Sequence, residues 1–416
     1  MDKGINVKSE IGKLRKVMVH RPGAELLEIT PENAHDMLFE DVLFVEQAQK
    51  EHDGFVEVLR GEGVEVLYLV DLTAEALATS PQVRQNFINE FVEESGASFD
   101  EGFKKQIISH FENNYKTEKE LVLAAMAGLT YDSIGIPRKS GLLSSLRLPK
   151  PSSFIINPMP NLYFTRDPFS SMGNNVAISR MWSAARNRET IFSKYIFAHH
   201  PDYAQEEGSC FYERHLPSYV EGGDVLVISP ETVVVGISQR TYPEGIEILA
   251  EKIFQNEKST FKNVLAFEIP KQRNCMHLDT IFTQLDIGKY LIYEKYMGDL
   301  IHAYALERGR SEARDLSHLN LKKILDIYLK CDAKFVKCGG DNPVHADREQ
   351  WNDGANVLTV APGRVIAYDR NPLTNDLLRK ELGEENVLTI ASSELSRGRG
   401  GPRCMSMPFF RDDLGV

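Results

Sequence analysis

The sequence predicts an α/β fold, and three observations support this prediction. Short runs of apolar and β-branched residues recur along the chain, as is typical of strands. Several of these runs are separated by tight turns, which indicates hairpins. Amphipathic helical segments lie between the strands, and strand pairs followed by helices are typical of an α/β architecture. The hairpins argue against a purely parallel Rossmann sheet, and neither GxGxxG nor GxxxxGK(S/T) occurs.

Seven runs carry the strand pattern clearly. The turns 229–232 and 361–363 contain proline, so the runs on either side of each turn are expected to pair across it. The predicted strands cover residues 16–20, 64–70, 224–228, 233–237, 357–360, 364–368 and 387–390.

Three amphipathic helices are predicted between these strands. Pro243 opens the first, because proline is favoured at the first helical position. Each helix places its apolar residues on one face. These residues are Ile246, Leu249, Ala250 and Ile253 in the first helix, Leu321, Ile324, Leu325 and Tyr328 in the second, and Leu377, Leu378 and Leu382 in the third.

Residues 73–149 are predicted to form a helical insertion. They contain almost no strand pattern, and Ser80 followed by Pro81 is a helix-start signal. Thr117 and Glu120 have the spacing of a capping box, with an apolar face continuing to Gly128. The stretch 149–153 has the composition of a linker. We therefore expect residues 1–72 and 150–416 to form one α/β domain that carries the functional site.

Composition excludes several classes of function. The 416 residues carry a formal net charge of −12 and no basic stretch, which argues against nucleic-acid binding. No run of about 18 apolar residues occurs, and the first residues lack a hydrophobic signal core, so no membrane span is predicted. The five cysteines form no disulfide framework and no CxxC pair, which predicts reduced thiols in a cytoplasmic protein without a zinc site.

Cys404 is the cysteine that the sequence best supports as a nucleophile. It lies on a glycine-rich turn and is flanked by Arg397, Arg399 and Arg403. Arginines lower the pKa of a nearby thiol, and glycines let the backbone come close to a ligand. Most free cysteines are inert and buried, so this hypothesis requires a base and a substrate-binding shell elsewhere in the chain.

Three segments place polar residues where apolar ones are expected: 161–168, 221–224 and 275–282. In the last segment, the side chains of His277 and Asp279 are expected on one face of an extended strand. Each segment also has a structural interpretation, because buried polar groups usually have structural partners. These interpretations are a local ion pair or turn for Arg166 and Asp167, a solvated loop acid for Glu221, and a hydrogen-bonded core residue for His277.

A cysteine, a histidine and several carboxylates at strand ends define a particular chemistry. Carboxylates near a thiolate raise its pKa, so the arrangement is explained if the substrate is itself a cation. A guanidinium fits, since its planar N–H donors pair bidentately with carboxylates. Its carbon needs a strong nucleophile held in line and an acid that protonates the departing nitrogen. We expect the thiol of the free protein to be largely protonated and the cationic substrate to favour the thiolate.

The chain resembles a known family in several segments that span nearly its whole length. It is similar to the arginine deiminases of the guanidino-group-modifying superfamily, and the helical insertion falls where that family carries one. The matching segments are 9–15, 20–23, 161–167, 221–224, 277–280, Asn356 with 368–371, and the segment around Cys404.

This resemblance implies an α/β fold of five ββαβ modules in a pseudo-symmetric, pentein-type propeller. It also implies hydrolysis of L-arginine to L-citrulline and ammonia, in arginine catabolism, without a cofactor or a metal. Cys404 would be the nucleophile that forms a covalent thiouronium intermediate. His277 would act as acid and then as base, and Glu221 would bridge the guanidinium and His277.

The resemblance also implies a set of substrate-binding residues. Asp167 and Asp279 would clamp the guanidinium nitrogens. Arg399 would lie on a mobile loop that closes over the site. Arg186 and Arg240 would hold the α-carboxylate of the substrate, near Asn161, Phe164 and Asp224. L-arginine is the partner that this set implies, and homo-oligomer formation stays open.

Pro402 departs from the family pattern, in which many relatives have another small, flexible residue. Because proline fixes φ, this residue puts loop motion in doubt rather than the chemistry. Three alternatives remain: an amidinotransferase or methylarginine hydrolase, an inactive arginine-binding protein, and a cysteine protease. A protease would need an oxyanion hole and has no use for several carboxylates around the thiol.

Overall fold

The computed structural model describes residues 3–95, 101–134, 154–298 and 301–415. The linker predicted at 149–153 lies outside these ranges. The strands are β1 Leu14–Val19, β2 Glu65–Tyr68, β3 Leu129–Thr130, β4 Phe154–Ile156, β5 Phe169–Met172, β6 Asn175–Ile178, β7 Val225–Ser229, β8 Thr232–Ile237, β9 Asn263–Glu268, β10 Phe282–Asp286, β11 Lys289–Ile292, β12 Ala303–Glu307, β13 Arg314–Asp315, β14 Lys334–Lys337, β15 Leu358–Ala361, β16 Arg364–Tyr368, β17 Val387–Ile390 and β18 Met407–Arg411.

Helices alternate with these strands, so the predicted α/β class is confirmed. The helices are α1 Val45–Gly61, α2 Leu69–Leu77, α3 Pro81–Glu93, α4 Glu101–Asn114, α5 Glu118–Ala127, α6 Ala184–Asn187, α7 Thr190–His199, α8 Pro243–Gln255, α9 Glu294–Met297, α10 Leu321–Leu329, α11 Pro343–Trp351 and α12 Pro372–Leu382.

One strand pattern recurs along the chain. An antiparallel pair is followed by a helix and then by a strand that pairs in parallel with the second member of the pair. The strands β7, β8 and β9 follow this pattern, as do β15, β16 and β17. The strands β10, β11 and β14 pair in the same way, but β12 and β13 lie between β11 and β14 in the chain and join the sheet of β9. In a fourth sheet, β1 pairs in parallel with β2 and antiparallel with β18. The hairpin β5–β6 has an isolated parallel bridge, between Ala177 and Tyr212, in place of the third strand.

All seven predicted strands are present, but the strand predicted over 64–70 is too long. It ends at Tyr68, and the chain continues directly into α2. Leu69, Leu72, Ala76 and Leu77 are buried in α2, so their helical spacing decides the structure of a run that is apolar enough for either element.

The helices α2 to α5 lie between β2 and β3 in the chain. Thr117 and Glu120 form the predicted capping box, since the Thr117 hydroxyl accepts from the Glu120 N–H and the Glu120 carboxylate accepts from the Thr117 N–H. Phe87 and Phe111 belong to a buried aromatic cluster that extends to Phe192 of α7. The helical segment therefore shares its apolar core with the part of the chain that follows β4.

Within the described ranges, no helix is both long and apolar enough to cross a bilayer.

Candidate active site

The predicted site residues share one position in the strand pattern. Asp167 lies just before β5, Glu221 before β7, His277 before β10 and Cys404 before β18. Asn356 lies just before β15. Because each of these strands begins an equivalent unit, the segments that lead into them meet at one end of the strands.

Hydrogen bonds join the five segments in a closed ring, which we call the segment ring. Each bond connects one strand-leading segment to the next, and each links residues that are far apart in the sequence. The Arg166 N–H donates to Cys404 O (3.1 Å), Gly222 N–H to Asp167 O (3.0 Å), Leu278 N–H to Asp224 Oδ1 (2.8 Å), Asn356 Nδ2 to Asp279 O (2.9 Å), and Cys404 N–H to Asn356 Oδ1 (3.0 Å).

The backbone of residues 398–404, which we call the nucleophile segment after the role predicted for Cys404, is held by the side-chain amide of Asn356. Asn356 Oδ1 accepts from the N–H groups of both Gly401 (3.1 Å) and Cys404 (3.0 Å). A side chain at Gly400 would overlap the ring of Phe164, so glycine is required where the segment passes that ring. Asn356 is fully buried and contributes to two bonds of the segment ring, so it fixes the thiol relative to Asp279.

The three arginines that flank Cys404 in sequence have separate partners. Arg397 pairs with Asp41 near the surface. Arg399 stacks on Trp351, with Cζ 3.6 Å from the ring centroid. Arg403 forms a fork with Glu10 and donates from Nη1 to Asp279 Oδ2 at 2.7 Å.

Burial and negative charge raise the pKa of the Cys404 thiol well above its ordinary value. The carboxylates of Asp279, Asp167 and Asp353 act in this direction, and Arg403 opposes them. Cys404 Sγ lies 3.5 Å from Asp279 Oδ2, which accepts its proton in a hydrogen bond. The free thiol is therefore protonated, and the flanking arginines do not dominate its charge state.

His277 and Glu221 form a buried pair. His277 Nε2 lies 2.8 Å from Glu221 Oε2, and the other carboxylate oxygen accepts from the Trp182 N–H at 2.8 Å. Burial alone would lower the pKa of His277, but Asp167 and the hydrogen bond to Glu221 outweigh it and raise this pKa to about 9. Burial would raise the pKa of Glu221, whereas Arg240 and His277 hold it at about 2. His277 is consequently an imidazolium at neutral pH.

The prediction that His277 and Asp279 share a face of an extended strand is wrong. Residues Leu278–Thr280 form a short 3-10 helix, and β10 begins only at Phe282. The helical turn arises because Asp224 Oδ1 accepts the Leu278 N–H and Thr280 N–H donates to His277 O. Both side chains still belong to the site, but they approach it from different directions.

Asp167 and Asp279 are held in the same way. One oxygen of each carboxylate is bonded by an arginine: Asp167 Oδ2 by Arg186 Nη1 and Asp279 Oδ2 by Arg403 Nη1, both at 2.7 Å. Among the described residues, the remaining Oδ1 atom of each is buried without a hydrogen-bond donor. His277 Nδ1 is 3.7 Å from Asp167 Oδ1. The site thus holds two carboxyl groups that each have one oxygen without a hydrogen-bond donor in the described part of the chain.

The structural interpretations of these residues hold only in part: Thr165 and Arg166 lie in a turn, and His277 is a buried, hydrogen-bonded residue. Arg166 donates to Arg403 O and Asp167 pairs with Arg186, so they are not a local ion pair. Glu221 is fully buried rather than solvated.

Two guanidinium groups also line the cavity, and each lies beside a carboxylate of the site: Arg186 beside Asp167, and Arg240 3.6 Å from Glu221 Oε2. Arg186 is bonded by Asp167 and Glu189, which leaves some of its N–H groups free to bind an anion. Arg240 lies over the Trp182 ring at 5.1 Å, and its Nε and Nη1 have no hydrogen-bond acceptor within the described part of the chain. These two arginines form the cationic wall, which suits a carboxylate.

The cavity between these groups has a volume of about 10 Å³, far too small for an amino acid. Leu38 and Arg399 line it, and Asn161 Nδ2 donates to Met37 O. Arg273 bonds the same covering segment through Leu38 O and Glu40. The segments around Leu38 and Arg399 must therefore move for a substrate of amino-acid size to enter. The complete lining is Leu38, Asn161, Phe164, Asp167, Arg186, Arg240, Arg273, Met276, His277, Thr280, Gly398, Arg399 and Cys404.

Asp224 does not line the cavity. Its Oδ1 accepts the Leu278 N–H, and its Oδ2 accepts from the Ser238 hydroxyl at 2.6 Å. Burial raises the pKa of Asp224 to about 7, against His277 and these hydrogen bonds. The geometry places it behind His277 as a support.

Three contributors have no role that the sequence predicts. Asn356 and Glu10 occur there only within matching segments, and Arg273 was not singled out. Glu10 is buried and bonded to Arg403. Burial would raise the pKa of Glu10, but the positive charge of Arg403 outweighs it, so this pKa is about 2. Arg403, the partner of Glu10, is 393 residues away in the sequence, so no local sequence pattern indicates this pair. No group of three or more His, Cys, Asp or Glu side chains in the described ranges could hold a metal ion.

Comparison with solved structures supports the α/β fold. An amidinotransferase of the saxitoxin biosynthetic pathway from Microseira wollei is similar with a TM-score of 0.53 at 15% identity, covering 99% of this chain and 98% of that one. A dimethylarginine dimethylaminohydrolase variant in an adduct with S-methyl-L-thiocitrulline has a TM-score of 0.50 at 15% identity, covering 95% and 100%. At these identities the likeness shows the fold alone.

Comparison with protein families and curated sequences is more specific. The family model described as arginine deiminase matches residues 35–411. The arginine deiminase of Treponema denticola is 45% identical over 414 residues, 99% of each chain. The arginine deiminase of Streptococcus agalactiae serotype V is 47% identical over 416 residues, 99% of this chain and 98% of the relative. Because both the family model and these relatives span nearly the whole chain, the chain belongs to the arginine deiminase family.

Proposed function

We propose that the protein hydrolyses L-arginine to L-citrulline and ammonia through a covalent intermediate on Cys404. The observation that carries this proposal is a pair of carboxyl oxygens without hydrogen-bond donors among the described residues, Asp167 Oδ1 and Asp279 Oδ1. Asp167 lines the cavity together with Cys404 and His277, and Asp279 contacts Cys404 Sγ without lining the cavity itself. A guanidinium offers N–H donors on more than one edge, so it satisfies both oxygens at once. The relatives named arginine deiminase support arginine as the molecule that carries this group.

Binding of the cation prepares the nucleophile. In the free protein, three carboxylates keep the thiol of Cys404 protonated. The positive charge of the guanidinium offsets them and favours the thiolate. Asp279 Oδ2, 3.5 Å from Sγ, accepts a hydrogen bond from the thiol in the free protein, and the thiol proton passes to solvent when the cation binds. The protein thereby forms its reactive thiolate only when the substrate is in place.

In the first half-reaction, Sγ forms a bond to the guanidinium carbon. His277 donates its proton to one terminal nitrogen, the C–N bond breaks, and ammonia leaves. A cationic thiouronium remains on Cys404, and His277 is left neutral. Glu221, bonded to Nε2, holds the ring in position and stabilises the imidazolium form before this transfer.

In the second half-reaction, water attacks the thiouronium carbon. Neutral His277 accepts one proton of the water, a C–O bond forms, and the C–S bond then breaks as the carbonyl of citrulline forms. The second water proton goes to the departing thiolate, and the thiol proton released on substrate binding is taken up by ammonia, which forms ammonium. The net reaction converts the arginine cation and water to citrulline and ammonium.

The cationic wall recognises the other end of the substrate. Arg186 and Arg240 bind the α-carboxylate, with Asn161 and Phe164 beside it, and Arg399 closes the site. Their common presence in the cavity lining supports these roles. Asp224 acts through the turn that carries His277.

We infer the finer organisation of the chain on similar grounds. Residues 1–72 and 150–416 form a catalytic domain of five ββαβ modules in a pentein-type propeller, and residues 73–149 form an inserted helical domain. The recurring strand pattern and the segment ring support five modules. The five free cysteines support a cytoplasmic location. Association with further copies of the chain is also compatible with this organisation.

The proposed function is tested by measuring citrulline and ammonia with arginine as the sole substrate. The wild-type protein and Cys210→Ala, a control at a different cysteine, are expected to form both products in equal amounts. Cys404→Ala is expected to form neither while keeping its circular dichroism spectrum. Substantial turnover by Cys404→Ala would reject the nucleophile. Methylamine release from methylarginine in preference to arginine turnover would reject the substrate.

A further inference from the structure

Residues 351–356, which we call the platform segment, contact the nucleophile segment at separate points. Asn356 holds the N–H groups of Gly401 and Cys404, as described above. Trp351 covers the guanidinium of Arg399, which is only 5% exposed although Trp351 itself is 45% exposed. Asp353 lies between these two residues in sequence and has no role in the chemistry derived so far.

Asp353 is a buried carboxylate in an unusual backbone conformation. It is 2% exposed, and its φ of +59° lies in the left-handed region, which few residues other than glycine, asparagine and aspartate adopt readily. Neither carboxylate oxygen makes a hydrogen bond of normal geometry to a described group, although the Gly400 N–H is near enough to favour the ionised form. A buried charge left this way is costly, so a nearby opposite charge is expected.

Arg399 is the matching group. Its Nε, Nη1 and Nη2 atoms are all buried without a hydrogen-bond acceptor in the part of the chain that the structure describes. Its φ of +67° is also left-handed. The guanidinium and the Asp353 carboxylate are electrostatic neighbours, and each is the strongest opposite charge acting on the other. Two buried, opposite charges without hydrogen-bond partners in the described ranges therefore act on each other without forming a direct ion pair.

We propose that Asp353 is a positioning residue for the reaction: its carboxylate is the counter-charge that holds Arg399, and through Arg399 the turn that leads to Cys404. Trp351 fixes the face of the guanidinium, Asp353 supplies the attraction, and Asn356 orders the backbone beyond it. The platform segment thus determines where the thiol stands relative to Asp279 and His277. This inference rests on the proposed function.

Other ionisable groups share the surroundings of Asp353. Burial raises the pKa of Asp353 to about 6, with Arg399 acting against this rise and Asp279 adding to it. The carboxylate in turn contributes to the raised pKa of Cys404. The groups that face Asp353 come from several segments, and they are Tyr163, Asp279, Cys338, Tyr368, Arg370, Arg399 and Cys404.

The test compares Asp353→Asn, Arg399→Gln and the double variant. Asparagine keeps the shape of aspartate and tolerates a left-handed backbone, so the variant is expected to fold. Each single substitution is expected to lower kcat/KM for arginine by about 10- to 100-fold, because small displacements of a nucleophile are costly. The double variant is expected to lose only about 2-fold more than the worse single variant, because both act through one pair. Asp376→Asn removes an exposed aspartate paired with Arg379 and is expected to match the wild type.

A second readout needs no substrate. The alkylation rate of Cys404 by iodoacetamide, followed on the Cys404 peptide, rises with pH as the thiol ionises. Asp353→Asn is expected to shift this rise to lower pH, because a negative charge near the thiol is removed. Greater mobility of the nucleophile segment alone would raise the alkylation rate without moving the pH profile. If the asparagine variant does not fold, Asp353→Ser carries the same test. Losses of kcat/KM that multiply in the double variant, or an unshifted alkylation profile, would overturn the proposal. Absence of citrulline formation by the wild type would instead reject the proposed function, and the alkylation profile would still decide the role of Asp353.

Discussion

His277 Nε2 lies 2.8 Å from Glu221 Oε2, and neither side chain is more than 2% exposed. The other ring nitrogen, Nδ1, lies 3.7 Å from Asp167 Oδ1. Both nitrogens therefore face carboxylates, which favours the doubly protonated ring. This relationship makes His277 ready to donate a proton before it accepts one.

Activity is expected to fall as pH rises through about 9. Against the effect of burial, Asp167 and Glu221 raise the pKa of His277 to about 9. The imidazolium that would donate the proton is therefore present below this pH and lost above it. Glu221→Gln is expected to move this limb of kcat/KM to lower pH and to lower kcat by about 100-fold or more. A pH profile measured with wild type and Glu221→Gln checks both effects. An unshifted alkaline limb in the variant would contradict the pairing.

The same raised pKa links pH to stability. The folded protein holds the His277 proton more tightly than the unfolded chain, whose histidines have an ordinary pKa of about 6.5. The stabilisation is complete below about pH 6.5 and is lost as pH approaches 9. Urea unfolding is expected to show that the free energy of unfolding falls more steeply with pH across this range in the wild type than in His277→Gln, which keeps the contribution of Asp224.

Asp167→Asn and Asp279→Asn are expected to weaken binding of the cationic guanidinium much more than binding of a neutral group of similar shape. Each replaces a carboxylate that has one free oxygen by a neutral amide, so the guanidinium loses an ionic hydrogen bond. We expect kcat/KM for arginine to fall by about 100-fold or more in each variant. Binding of citrulline, which is neutral at that end, is expected to change much less. Equal losses for arginine and citrulline would argue against a guanidinium clamp.

Agmatine, which lacks the α-carboxylate, is expected to be a poor substrate. The cationic wall of Arg186 and Arg240 would face no anion in that complex, and buried polar groups left unpaired discriminate strongly. Wild-type kcat/KM should be at least about 100-fold higher for arginine. Arg240→Leu should reduce this preference by lowering kcat/KM for arginine alone. Comparable values for both substrates with the wild type would reject the roles of both arginines.

Asn356→Ala is expected to act on kcat more than on KM. Asn356 touches the backbone of Cys404, Gly401 and Asp279 and does not line the cavity. Its loss frees the nucleophile segment, and we expect kcat to fall by about 10- to 100-fold. Steady-state kinetics on this variant and on Asn352→Ala, a half-buried neighbour whose side chain makes none of these bonds, show whether the effect is specific to Asn356. A change confined to KM would show that Asn356 contributes to binding instead.

Local pattern was sufficient for most elements but not for their ends. The β-branched runs at 224–228 and 233–237 predicted β7 and β8 closely, since they are buried on both faces and flanked by a turn. The run at 64–70 was misjudged after Tyr68, because apolar residues suit strand and helix alike. The His277 segment was misjudged because its turn depends on Asp224, which lies 54 residues earlier.

The chemistry of the site was better predicted than its architecture. Cys404, His277, Asp167 and Asp279 carry recognisable residue types, and the structure brings them together. The segment ring, in contrast, depends on hydrogen bonds such as the one from the Arg166 N–H to Cys404 O, which join residues far apart in the sequence. The arginine fork on Glu10 is equally remote in sequence. Such contacts depend on how the strands are connected and arranged, and the residue pattern of a single segment does not indicate this.

The closing position of β18 in the segment ring has a consequence for biosynthesis. Translation proceeds from β1 towards β18, so the ribosome produces Asp167, Glu221, His277 and Asp279 before it produces Cys404. Asp279 is bonded by Arg403, which is translated just before Cys404, so the segment ring cannot close before this part of the chain is made. Under the proposed function, the site is therefore complete only when β18 pairs with β1.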